Sequence, residues 1–221
     1  MADFNIGMER LPRGRHGLSP EFVARNQRER LITGLTEALY DVGYQKTTVS
    51  MIGQQAAVSK SDFYKHFESK DECFIAAYDV AIERVRECVT AACEEASGEE
   101  WPRRVRAATG ALLQLLSDDP ALASITLVEG LRAGREVYDR YQGALDSFVG
   151  YLHEGAPSAP QGGEVPEATG EAVVGGIASL LGRRILAGEA EQLNDLFPEI
   201  LEFILSAYLG AEQARRIISA E

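Results

Sequence analysis

The chain has 221 residues, 45% of them apolar, which is enough for a substantial buried core. It has no run of eighteen apolar residues, and Asp, Glu and Arg are mixed through its first thirty residues, so we expect a cytoplasmic protein with neither a membrane partner nor a secretory leader. The net charge of −12 excludes nucleic-acid binding by the molecule as a whole, but residues 1–70 carry ten Lys/Arg against eight Asp/Glu and residues 71–221 twelve against twenty-six, so only the first segment can face phosphates.

Residues 1–18 contain Arg10, Arg13, Arg15 and His16 broken by Pro12, Gly14 and Gly17, and read as a flexible basic arm. Ser19-Pro20-Glu21 supplies an N-cap, a proline suited to the first helical position and an acid at the positive end of the dipole, so a helix begins here. Its apolar stripe is Leu31, Leu35, Leu39 and Val42, and Gly43 stops it. A short helix over Thr48–Ala56, a tight connection at Ala57-Val58 and a second short helix over Lys60–Phe67 follow. Ser69 and Glu72 then form a capping box for a long helix reaching about Ala96. The three cysteines, Cys73, Cys88 and Cys93, all fall on it. None is in a CxxC pair, so neither a disulfide framework nor a zinc site is indicated. They are expected to be small apolar residues, with Cys73, in the first turn, as the one candidate redox thiol.

Beyond Ser97-Gly98 further helices are separated by Asp118-Asp119-Pro120, by Gly134 and by a Gly/Pro-rich loop over 154–166 that is expected to be mobile. The last two strong helices span 167–187 and 190–209, with Pro198 expected to kink the second, and a short helix follows Gly210. No alternation long enough for a sheet occurs. The expected fold is all-α, with a three-helix head and a helical body, divided as arm 1–18, helix-turn-helix domain 19–68 and sensing and dimerisation domain 69–221.

The segment TTVSMIGQQAAVSKSDFYKHFESK, Thr47 to Lys70, carries the function. Two short helices joined by about three residues cannot bury themselves, so Val49, Ile52, Ala56, Val58, Phe63 and Phe67 must pack on the stripe around Leu31 and Leu35. The other face of the second short helix then presents Lys60, Ser61, Tyr64, Lys65 and His66, a surface suited to a major groove. Lys60 and Ser61 are positioned for bases and Lys65 for a base or a phosphate. Thr47, Thr48, Tyr64, His66 and Lys70 read as phosphate-positioning donors, and Ser59 completes the set. Asp62 is read as a capping partner of Ser59, the rival role being acceptance of a cytosine amino hydrogen. The segment resembles the DNA-binding motif of the TetR/AcrR family in its Thr-Thr-Val opening, Ile52, Ala56, Val58-Ser59, Phe63-Tyr64, His66-Phe67 and Lys70. The preceding RGRHGLSPEFVARNQRERL is similar to an actinobacterial-type subgroup. The resemblance covers about the first 80 residues and implies the same division of roles. Ala57 departs from the family pattern, which has Gly where the turn needs positive φ.

Readers of this kind dimerise, which places two recognition helices about 34–36 Å apart. The last two helices are apolar nearly all round, and Val173, Ile177, Leu180, Leu181, Phe197, Ile200, Leu201, Ile204 and Tyr208 are expected to build a paired four-helix interface, the alternative being a purely internal core. Between head and dimer helices, Tyr78, Trp101, Leu112, Leu116, Leu127, Tyr138, Tyr141, Phe148 and Tyr151 are candidates for lining a pocket for an apolar or amphipathic effector. The expected activity is that of a repressor on a palindromic operator, released by the effector, with the long helix from Ser69 as the lever. A regulator controlled by a protein partner, or an activator, is the alternative. An all-helical enzyme or carrier is the rival from another class, but no metal-spaced cluster, nucleophile elbow or phosphate-cradling loop is present, and no metal, cofactor or catalytic residue is expected.

Overall fold

The computed structural model describes residues 19–156 and 165–219, and no strand occurs among them. The basic arm and most of the Gly/Pro-rich loop therefore lie outside the described residues. The helices are α1 (Pro20–Val42), α2 (Val49–Ala56), α3 (Lys60–His66), α4 (Lys70–Glu95), α5 (Trp101–Asp118), α6 (Pro120–Leu127), α7 (Arg135–His153), α8 (Thr169–Leu186), α9 (Phe197–Leu209) and α10 (Ala211–Ser219). Two 3-10 segments, Glu129–Leu131 and Ala190–Leu196, follow α6 and α8.

The first four helices start where local chemistry dictates. Ser19, Thr48, Ser59 and Ser69 stand outside the helix in extended backbone, and each hydroxyl accepts the N–H three residues on, from Phe22, Met51, Asp62 and Glu72 at 3.1, 3.3, 3.0 and 3.1 Å. Each bond satisfies one donor that the helix cannot, which contributes about 1 kcal/mol. Glu72 reaches back to the N–H of Glu68, one residue before the cap. Asp119 caps α6 in the same way, and its buried carboxylate also pairs with Arg84 of α4.

The end of the chain departs from expectation. Residues 190–196 form a 3-10 segment instead of the start of a long helix, and α9 begins at Phe197. Pro198 therefore sits in the first turn, where its missing N–H costs no hydrogen bond and no kink is needed.

A single apolar cluster runs through the head and the body. In the head, α1 buries Leu31, Ile32, Leu35 and Leu39 against Ile52, Ala56, Val58, Phe63 and Phe67, while Val42 is exposed because α1 ends beyond its partners. The crossing of α1 on α2 is close: a Cβ on Gly34 would stand 2.8 Å from the Ala56 nitrogen and 2.9 Å from the Ile52 carbonyl oxygen, so any larger residue forces the helices apart. α1 also packs on α4 and α6, and α4 runs on into the body against α5, α6 and α7.

Candidate nucleic-acid interface and effector cavity

On α3 the buried residue is Phe63, and Lys60, Ser61, Tyr64 and Lys65 point to solvent, with Tyr64 52% exposed. Lys65 is held 2.6 Å from Asp62 Oδ1, and Asp62 Oδ2 accepts the Ser59 hydroxyl at 2.7 Å. These two bonds hold the Asp62 carboxyl below its ordinary pKa, Lys65 being the larger cause. Asp62 is thus engaged locally, as the capping role requires. The turn before α3 is left-handed at Ala57 (φ 50°, ψ 43°). The Val58 N–H bonds to the Gly53 carbonyl at 2.9 Å and the Ala57 N–H to the Gln54 carbonyl at 3.2 Å, a Schellman pair. Arg30 donates to the carbonyls of Ala56 and Ala57 at the end of α2.

Four of the expected DNA donors have other work. Thr47 is buried, and its hydroxyl lies 3.2 Å from the Ala38 carbonyl oxygen and 2.9 Å from that of Gly43, so it ties the α1–α2 turn and cannot reach a phosphate. The Ser59 hydroxyl is spent on the cap and on Asp62. Lys70 donates to the carbonyls of Tyr44 and Thr47 at 2.8 and 3.1 Å, with its ammonium 4.1 Å from the Tyr44 ring centre. His66 is half-buried with Nε2 3.1 Å from Gln27 Oε1, and burial pushes its pKa down. Thr48, Lys60, Ser61, Tyr64 and Lys65 remain as one exposed set.

In the body, α4, α5, α6, α7, α8 and α9 line an almost wholly apolar cavity of about 130 Å³. Leu112, Leu116, Leu127, Tyr141, Phe148 and Tyr151 line it, as expected. Sequence reasoning missed Ile82, Val85, Val89, Leu145, Val174 and Ile177, aliphatic residues that have no chemical mark distinguishing cavity lining from ordinary core. The other three expected lining residues do not line it. Tyr78 is fully buried beside Phe74, its hydroxyl 3.5 Å from the Thr126 carbonyl oxygen. Trp101 packs on Tyr208 and donates to the Leu152 carbonyl at 2.9 Å. Tyr138 is 42% exposed on the outer side of α7. A second cavity of about 270 Å³ shares Leu127, Tyr141 and Ala178 with the first and is lined also by Arg132 and Arg183.

Residues 31–77 match the model of "Bacterial regulatory proteins, tetR family". The head therefore carries a match to the DNA-binding domain of that family. An uncharacterised HTH-type transcriptional regulator of Lactococcus lactis subsp. lactis is 34% identical over 55 residues, which are 25% of this chain and 28% of that protein's length. The fatty acid metabolism regulator protein of Bacillus subtilis (strain 168) is 27% identical over 145 residues, 62% of this chain and 70% of the relative. Among solved structures, the fatty acid degradation regulator FadR of Bacillus halodurans superposes with a TM-score of 0.69 at 16% identity, covering 86% of this chain and 97% of its own. The Bacillus subtilis FadR in complex with stearoyl-CoA gives 0.64 at 20% identity, covering 81% and 98%. At these identities the likeness establishes the shared fold.

The inner faces of α8 and α9 are occupied within the chain. Val173, Leu181, Ile200, Leu201, Ile204 and Tyr208 are buried in the chain's own core, so they are not free to meet a partner, and Ile177, Leu180 and Phe197 are only half-buried. Each of the two helices meets the body on one side, which accounts for the buried part of its apolar surface. Their outward faces carry Ala172, Gly176, Phe203 and Ala207. The Cys73 thiol is fully buried and pushed up to about 12 by that burial, which outweighs its place at the start of α4 and overturns its candidacy as a redox thiol.

Sequence reasoning also missed the joint between head and body. Tyr44, in the α1–α2 turn, donates its N–H to Glu129 Oε2 at 2.8 Å and its hydroxyl to Asp71, and packs edge-on against Phe74 at 5.0 Å between ring centres. Burial and Asp71 raise the Tyr44 pKa far above its ordinary value. The Glu129 side chain is 5% exposed, and its other oxygen lies 3.2 Å from Arg132 Nη1. No sequence signal marks a pair 85 residues apart.

Proposed function

We propose that the protein is a transcriptional repressor that binds a palindromic operator as a dimer and is released by an apolar or amphipathic small molecule. The observation that carries this reading is the exposed set Thr48, Lys60, Ser61, Tyr64 and Lys65 on a helix-turn-helix, above a body with an apolar cavity. Lys60 and Ser61, in the first turn of α3, address base edges. Tyr64, Lys65 and Thr48 position phosphates. Residues 1–18 act as the arm, 19–68 as the head and 69–221 as the sensing and dimerising body. The dimer forms through the outward faces of α8 and α9, where Phe203 is 49% exposed beside Gly176, which leaves room for a close approach. A cavity of about 130 Å³ is near the ~150 Å³ that takes a benzene ring, so it holds a short hydrocarbon chain or one ring. Acyl groups are a fitting class, in line with the stearoyl-CoA of the Bacillus subtilis structure.

The test is binding of the purified protein to its own upstream intergenic DNA by mobility shift at two salt concentrations, with Lys60→Ala and Tyr64→Ala alongside. Binding that falls steeply with salt is expected, because released counterions drive it. Lys60→Ala should lose about 1–3 kcal/mol of affinity and relax discrimination at one base pair. Wild-type binding no better than to random DNA, there and in a genome-wide selection, overturns the reading.

A further inference from the structure

The second cavity differs from the first in charge. Its only charged lining residues are Arg132 and Arg183, and Arg183 has no ion-pair partner among the described residues. Leu131 and Leu186, 50% and 60% exposed, also line it and form an uncovered apolar rim. Leu127, Tyr141 and Ala178 line both cavities, so the two lie side by side. Arg132 is at once a wall of this cavity and the partner of Glu129, whose other oxygen holds the Tyr44 N–H in the turn that carries the helix-turn-helix.

We propose that the second cavity receives the anionic end of an amphipathic effector whose chain occupies the first, and that the effector releases the head by drawing Arg132 away from Glu129. Two guanidiniums beside an adjoining apolar cavity favour a carboxylate or phosphate on a short chain, since guanidinium forks match these anions. Once Arg132 turns to the ligand, the buried Glu129 carboxylate keeps only the Tyr44 N–H. A buried charge without its partner is costly, so the turn at Tyr44 shifts to let it be solvated. The bound anion thereby interacts differently with two positions of the head, which is what release by a ligand requires.

This inference rests on the proposed function, and its test separates the two. Octanoate, 1-octanol and octanoyl-CoA are titrated calorimetrically into wild type, Arg183→Gln and Arg132→Gln, and operator binding of each protein is measured without ligand and with the three probes. Octanoate should bind wild type at least about tenfold tighter than octanol, a difference within the range for a charge-assisted contact. Both arginine variants should lose that advantage while binding octanol unchanged. Octanoyl-CoA binding tighter than octanoate, with the same arginine dependence, identifies the phosphates as the anion; no gain identifies the carboxylate. Arg132→Gln should hold operator more weakly than wild type with no ligand present, whereas Arg183→Gln should match it. Equal binding of octanoate and octanol, arginine variants that weaken both alike, or Arg132→Gln with wild-type operator affinity each overturn the inference while leaving the DNA-binding reading in place. Failure of wild type on its operator overturns both.

Discussion

Replacing Ala57 with glycine should stabilise the protein, because the residue just past the end of α2 is left-handed, the position where glycine is favoured. Ala57 is exposed and left-handed (φ 50°, ψ 43°), the sole non-glycine residue with positive φ among the described residues. An L-residue in that region costs roughly 1–2 kcal/mol, which glycine avoids. Glycine has more freedom in the unfolded chain, and this offsets about 0.4–1 kcal/mol of the gain. No packing is lost, because the Ala57 methyl is at the surface, and the Schellman pair uses backbone groups that glycine keeps. The net is a gain of about 0.5–1 kcal/mol, which for a chain of this length raises Tm by about 1–4 °C. Differential scanning calorimetry of wild type, Ala57→Gly and Ala91→Gly makes the comparison. Ala91 is exposed inside α4 with ordinary helical backbone, so the same substitution there should lower Tm by a similar amount. An unchanged or lower Tm for Ala57→Gly would refute the reasoning, as would two shifts of the same sign.

Three further outcomes are expected. The Cys73 thiol, buried and pushed up to about 12, should resist a thiol reagent at pH 8 until the protein unfolds; labelling at the rate of a free thiol would contradict its place in the core. The His66 pKa is held below its ordinary 6.5, chiefly by burial. The folded state therefore binds fewer protons than the unfolded state just below pH 6.5, and stability falls as pH drops through that value toward the folded pKa. Urea midpoints at pH 7.5 and 5.5 should fall more for wild type than for His66→Gln, and parallel falls would reject the assignment. Phe203→Glu should turn a dimer of the 24.1 kDa chain into a monomer by light scattering without loss of helicity, because the side chain is 49% exposed within the chain and two carboxylates would face each other across the two-fold axis. A wild type already monomeric, or a variant still dimeric, would move the interface elsewhere.

The sequence alone determined what depends on neighbours a few residues away. Ser19, Thr48, Ser59 and Ser69 each set a helix start through an N–H three positions on, the Leu31–Leu35–Leu39 stripe named the inner side of α1, and the tight connection at Ala57-Val58 followed from the spacing of two short helices, while its left-handed backbone was only what the family resemblance implied. The exposed face of α3 was legible for the same reason, since burying Phe63 and Phe67 leaves Lys60, Ser61, Tyr64 and Lys65 outside. Hydroxyls and ammoniums were not legible in this way. Thr47 and Lys70 are donors of the right type at the right spacing, and only the folded α1–α2 turn shows that carbonyls already occupy them. The same limit applies to α8 and α9, whose apolar residues circle the helix: burial there is set by what packs alongside, so Ile200 and Tyr208 became core while Phe203 stayed outside. Tertiary structure alone decided which residues share the two cavities and joined Tyr44 to Glu129, because a contact across 85 residues depends on how whole helices cross and leaves no periodic trace in the chain.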